Sequence, residues 1–335
     1  MRTAVATAVR MVGSNPRPCV CVKRNGLRRH LATTLLLAVA AGMLFGCASK
    51  RPPRPRPPAA RSQAAPPPRR VPIETGDRGW GYLKAKLVAD GVSRDRVDRA
   101  FGDPRMEAFD GLYFSPYSPR ESHAMYRNFL SEEMIAQARQ CRADNAPAFE
   151  RAERRFAVPG SVCAAILTVE THCGRNTGRS MILYRLSRLA MANDPDNLER
   201  NLQRWSGGDP DIEHRLRARA RYLEDTFYPE VRATFEIARR EGIDPLGLKG
   251  SGAGAFGYPQ FLPTSYLQYA VDGNGDGRIS LYDASDAAAS CANYLARNGW
   301  HPGLSYQEQR AVIWRYNRSD AYIDTVLTLS RDIEE

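Results

Sequence analysis

From Trp80 onward, apolar residues recur at three- and four-residue spacings, as in "GYLKAKLVADG", "SRDRVDRAFG" and "SEEMIAQARQ". That period predicts helices with one buried face. Ser93 and Ser131 stand at N-cap positions, and Gly91 and Gly102 where helices stop. A longer helix over roughly 211–241 is closed by Gly242, and another near 284–298 by Gly299. Long alternating strands and internal repeats are missing from the pattern. The fold class expected is mainly α, in one domain over 76–335, with room for a short hairpin.

One segment departs from the amphipathic pattern. In "AAILTVETHCGRNTGRS" (Ala164 to Ser180) a helix opened by Pro159 carries Val162, Ile166, Val169 and Cys173 on one side. Cys163, Ala164 and Leu167 lie on the other, so the helix is apolar nearly all round and predicted to be buried. Glu170 shares a face with Cys163 and Leu167, and Gly174 is placed to end the helix. Desolvation and the negative end of the helix dipole both disfavour its carboxylate. A glutamic acid held protonated near neutral pH is a general acid. The bland alternative is a Glu170 that bends to solvent or pairs with Arg175 or Arg179.

Charge narrows the class. The net charge is +11, but residues 1–79 hold 15 Lys and Arg against 2 Asp and Glu. Subtraction from the totals of 48 and 37 leaves 33 and 35 in residues 80–335, a net of −2. A nucleic-acid-binding domain is therefore not expected. Residues 1–46 read as a signal peptide: Lys23, Arg24, Arg28 and Arg29 precede the apolar run Leu31–Phe45. The stretch "LFGC" resembles the lipobox of bacterial lipoproteins, which implies lipidation of Cys47. An uncleaved anchor helix is the alternative. Residues 47–75 form a tether, with eight Pro and six Arg between Arg51 and Arg70. Such a segment is extended, semi-rigid and unable to bury a core.

Four cysteines remain in the exported part: Cys141, Cys163, Cys173 and Cys291. They permit two disulfides in three connectivities. Pairing of Cys163 with Cys173 is disfavoured if both lie on one helix, because ten residues rise about 15 Å. Zinc is disfavoured too, since no CxxC and no clustered His are present.

The stretch "KGSGAGAFGYPQFLPTSYLQYAVDGNGDGRISLYD" (Lys249 to Asp283) opens with Gly252-x-Gly254-x-x-Gly257. No strand pattern leads into it, so the dinucleotide-fingerprint reading is weak. A backbone packed closely on another helix or on an extended ligand is preferred. Ser251 and Gln260 are its polar groups able to orient a substrate. Further on, Asp272, Asn274, Asp276, Gly277, Ile279 and Asp283 match an EF-hand loop at positions 1, 3, 5, 6, 8 and 12. Asp272, Asn274, Asp276, the Arg278 carbonyl and Asp283 are the expected ligands of a structural Ca2+. A metal-free turn is the alternative.

Taken with "CANYLARNGW" and "WRYNRSDAYIDTVLTLS", these segments resemble the motifs of the membrane-bound lytic murein transglycosylase B type over roughly Gly79 to Glu335. The resemblance implies a lysozyme-like catalytic domain with an EF-hand-like calcium loop. It further implies a periplasmic lipoprotein, anchored to the outer membrane, that acts on peptidoglycan beside cell-wall synthesis or remodelling partners. Glu170 matches the family's sole acid/base; Ser251 and Gln260 match groove residues; Tyr316 and Asn317 match the "YN" pair beside the reacting sugar. Cys173 and Cys291 depart from the usual residues at their places. Glycosidases generally use two carboxylates, and here only one stands in the groove motifs. The implied reaction is cleavage of the bond between N-acetylmuramic acid and N-acetylglucosamine without water, giving a 1,6-anhydro product. A wall-binding lipoprotein without turnover, a lysozyme-like hydrolase and a calcium-responsive module are the competing readings.

Overall fold

A computed structural model of the chain describes residues 76–117, 121–205 and 210–335. The signal peptide, Cys47 and the tether lie outside the described residues. The order is α1 (Gly81–Ala89), α2 (Arg94–Gly102), α3 (His123–Tyr126), α4 (Glu132–Asp144), α5 (Ala146–Phe156), α6 (Gly160–Thr171), β1 (Ser180–Met181) and α7 (Ile182–Ala190). There follow α8 (Pro195–Trp205), α9 (Ile212–Glu241), β2 (Lys249–Gly250), α10 (Pro263–Tyr269), α11 (Ala284–Arg297), α12 (Tyr306–Tyr316) and α13 (Asp320–Glu334).

The helix boundaries have local causes. The Ser131 hydroxyl accepts the Met134 N–H and opens α4. Ser93 stands at the N-cap of α2 without such a bond. Gly242 takes φ 65° and returns its N–H to the Ala238 carbonyl, which stops α9. The Ser305–Glu308 capping box starts α12. The anticipated hairpin is instead a pairing of distant segments: β1 and β2 are antiparallel, with Ser180 opposite Gly250 and Met181 opposite Lys249.

Helix α6 is the centre of the core, and all twelve of its residues are buried. Helix α13 packs along it, and α4, α5 and α11 close its other sides. Helix α9 packs on α7. An element surrounded in this way has no polar face to keep, which accounts for its nearly unbroken apolar sequence. The chain leaves α6 at His172, two residues before Gly174; His172 and Cys173 both take left-handed conformations, with φ 51° and 56°. The Cys173 N–H bonds back to the Leu167 carbonyl at 3.0 Å, closing the helix.

One disulfide joins Cys141 of α4 to Cys173, with the Cα atoms 6.1 Å apart. Cys163 and Cys291 are free and buried. They face each other across α6 and α11, with the two thiols hydrogen-bonded.

The close approach anticipated for the glycine-rich stretch is to protein. A Cβ on Gly254 would stand 2.2 Å from Leu186 of α7, and one on Gly257 2.3 Å from Leu281. Both glycines have positive φ, so nothing else fits there. No helix among the described residues is long and apolar enough to cross a membrane.

Candidate active site

Glu170 lies in the last turn of α6 and is 3% exposed. Neither Arg175 nor Arg179 holds it. Its partner is Tyr322 of α13, whose hydroxyl donates to Oε1 at 2.8 Å. Burial pushes the Glu170 carboxyl up to about 8; the Tyr322 bond pulls the other way, and the nearby Glu121 carboxylate adds to the rise. The proton therefore stays on Glu170 at neutral pH.

The end of α6 is fixed from several sides. The Thr171 hydroxyl bonds the Tyr258 carbonyl at 3.0 Å and accepts the Gly174 N–H at 3.0 Å. The His172 ring stacks on Phe129, centroids 5.5 Å apart. Cys173 is bridged to α4. These attachments leave Glu170 little freedom to turn away.

Tyr316 comes to the same place. Its ring is nearly parallel to that of Tyr322, at 9° and 6.4 Å between centroids. Its hydroxyl donates to the Pro259 carbonyl at 2.5 Å, which ties α12 to the turn holding Gln260. Asn317 ends α12 in extended backbone and is buried, and its Nδ2 has no partner among the described residues. A buried amide donor without an acceptor is unfavourable unless something else accepts from it.

Gln260 takes φ 48°, and its amide donates to the carbonyls of Gly257 at 2.9 Å and Thr177 at 3.2 Å. It thereby fastens the glycine-rich turn to the loop after α6. Ser251 is buried beside that loop, and its oxygen accepts the Ala255 N–H at 3.1 Å. Glu170 and Tyr316 thus meet at Tyr322, Asn317 follows Tyr316 in the chain, and Ser251 and Gln260 flank the loop that leaves α6.

The loop from Asp272 to Asp283, expected to hold a metal, is ordered by its own side chains. Asp272 accepts the Gly275 and Gly277 N–H groups at 2.5 and 2.8 Å, Asn274 accepts that of Asp276 at 2.9 Å, and Asp276 that of Arg278 at 2.8 Å. Those backbone amides hold the Asp272 carboxyl below its usual range. Asp283 caps α11 through one oxygen, Oδ1, which accepts the Ser285 and Asp286 N–H groups. Among the described residues no three His, Cys, Asp or Glu side chains are grouped closely enough to hold a metal. Donor chemistry suits a hard cation at Asp272, Asn274 and Asp276, whereas Asp283 has only Oδ2 left to offer. The loop also supports the active site: Leu281, at its exit, accepts the Tyr258 N–H at 2.8 Å.

Three residues that matter here escape the sequence pattern. Tyr322 lies within "WRYNRSDAYIDTVLTLS", but no period says that its hydroxyl meets a residue 152 positions away. Tyr126 and Glu121 come from a short helix and its approach, with no motif around them.

Comparisons with known proteins identify the family and the fold. The family model described as "Transglycosylase SLT domain" matches residues 76–310. The membrane-bound lytic murein transglycosylase B of Escherichia coli (strain K12) is 39% identical over 156 residues. That match spans 47% of this chain and 36% of the relative's length. The lytic transglycosylase Slt35 of Escherichia coli, solved in complex with calcium, superposes with a TM-score of 0.57 at 25% identity, over 76% of this chain and 92% of that one. The soluble lytic transglycosylase SltB1 of Pseudomonas aeruginosa shares the fold, with a TM-score of 0.57 at 24% identity over 76% and 97% of the two chains. With the family model covering nearly the whole helical domain, the chain belongs to the transglycosylase SLT domain family.

Proposed function

We propose that this protein is a periplasmic lytic transglycosylase that cleaves peptidoglycan without water. The observation that carries the reading is Glu170: a buried carboxyl oriented by Tyr322, whose burial favours the protonated acid. Glu170 donates its proton to the oxygen linking N-acetylmuramic acid to N-acetylglucosamine. The N-acetyl group of the muramic acid stabilises the positive anomeric carbon. Glu170, now ionised, takes the proton from the 6-hydroxyl of the same sugar, and that oxygen closes the 1,6-anhydro ring. The acid returns to its starting state, which suits a group that must serve first as acid and then as base.

Tyr322 occupies Oε1 as a donor, which leaves Oε2 to carry the proton. The free Nδ2 of Asn317 supplies a donor for a sugar oxygen or N-acetyl carbonyl. Tyr316, Gln260 and Ser251 hold the walls around them. Calcium would be held by Asp272, Asn274, Asp276, the Arg278 carbonyl and Asp283, and its contribution is to stiffen the loop beneath Tyr258. The lipobox-like "LFGC" supports lipidation of Cys47 and retention at a membrane, probed by fractionation of a Cys47→Ser variant.

The test is incubation with purified peptidoglycan sacculi. Anhydro-muropeptides, abolished by Glu170→Gln, are expected; reducing muropeptides would show that water reaches the anomeric carbon and overturn the mechanism.

A further inference from the structure

A second carboxylate approaches Glu170 in the fold, although the two are far apart in sequence. Glu121 precedes α3, and its Oε2 accepts the Tyr126 hydroxyl at 2.6 Å. The Tyr126 ring stands edge-on to Tyr322, at 83° and 6.0 Å between centroids. Tyr322 in turn donates to Glu170. Two carboxylates are thus each held by a tyrosine, and the two tyrosines are in contact. The other oxygen of Glu121, Oε1, is buried and has no partner among the described residues.

We propose that Glu121 is a positioning residue for the reaction at Glu170: fixed by Tyr126, its charge opposes ionisation of Glu170 and so keeps the acid in its proton-donating form. The proposal rests on the acid/base reading of Glu170 given above. Two like charges near one buried site resist joint ionisation. Burial is the larger influence on Glu170, and Glu121 acts in the same direction.

The other groups facing Glu170 do not offset this. Tyr322 and Tyr316, from α13 and α12, and Cys291, from α11, are pushed further up by burial and stay neutral. Cys163, two turns before Glu170 on the same face of α6, is hydrogen-bonded to the Cys291 thiol. His172 is drawn down by burial and then by Arg175, and so remains uncharged at neutral pH. On the far side of Tyr126, Asp324 is neutralised by Arg310 and bonds His123.

The experiment compares wild type, E121Q and E121D as the full chain. Anhydro-muropeptide release is followed against pH, and Glu170 is titrated directly by NMR with carbon-13 in its carboxyl. Losing the Glu121 charge lets Glu170 ionise more easily, so in E121Q the alkaline limb and the NMR midpoint both move to lower pH. The loss of rate then grows with pH and vanishes on the acid side. E121D, which keeps the charge, returns the limb toward wild type.

A loss of rate equal at all pH values, or a limb that stays in place, overturns the proposal. If E121Q does not fold, Y126F releases Glu121 while keeping the ring; an NMR midpoint identical to wild type then overturns it. If wild type makes no anhydro product, the transglycosylase reading fails on its own, and the NMR midpoints still decide whether Glu121 acts on Glu170.

Discussion

The hydroxyl of Tyr322 donates a 2.8 Å hydrogen bond to Oε1 of Glu170, joining the last helix of the chain to the end of its most buried one. This bond both orients the acid and partly offsets its burial. Tyr322→Phe removes it. The Glu170 carboxyl then rises further, so the alkaline limb of the pH–rate profile moves up, opposite in sign to the Glu121 effect. The loss of orientation lowers kcat by about 10- to 100-fold, as expected for a hydrogen bond to a group that ionises during the reaction. A pH–rate series on the two variants reads both signs.

Burial of Glu170 couples protonation to stability. Its folded value of about 8 lies above the ordinary 4.5. The folded state therefore binds the proton more tightly than the unfolded chain, and this stabilising contribution is complete below pH 4.5. It declines as pH rises and is lost above about 8. Glu170→Gln carries no ionisable group. Its unfolding free energy is expected to match wild type at acid pH and to exceed it at alkaline pH by roughly a few kcal/mol, with the melting temperature rising accordingly. Thermal melts of both proteins across that range provide the check.

The Cys141–Cys173 bridge closes a loop of 32 positions and clamps the residue three places after Glu170. Its removal by Cys141→Ser is expected to cost about 3–4 kcal/mol. Denaturant melts measure the loss. Thiol titration of unreduced, denatured residues 76–335 should find two free thiols, Cys163 and Cys291, and four would refute the pairing.

The loop from Asp272 to Asp283 makes a separate prediction. A ligand that binds only the folded state stabilises it, so excess chelator should lower the melting temperature and added Ca2+ restore it. Asp272→Ala, which removes the side-chain acceptors of two backbone N–H groups as well as a proposed ligand, should be less stable than wild type and indifferent to Ca2+. Equal melting of wild type with and without chelator would remove the metal from the account.

Local patterns carried most of the helices. Apolar spacing, Ser131 as a cap and Gly242 as a stop all act within a few residues of themselves, so they are legible in one dimension. Glu170 was legible for the same reason: an acid on a helix without a polar face stands out. The end of that helix was harder to read. His172 and Cys173 leave it in left-handed backbone because Phe129 and Cys141 hold them, and both partners come from earlier in the chain. The partners of Glu170 were not legible at all. Tyr322 lies 152 positions away, and Glu121 acts through a contact between two tyrosine rings. The pairing of β1 with β2 was hidden too, because two-residue strands have no period to detect.

The central claim is that Glu170 gives a proton to the glycosidic oxygen and takes one from the 6-hydroxyl, leaving no role for water. Mass spectrometry of the soluble products from sacculi digested in water enriched with oxygen-18 tests it most directly. The account predicts muropeptides lighter by one water than their reducing counterparts and free of the heavy oxygen. Reducing muropeptides carrying the heavy oxygen at the anomeric carbon would contradict it.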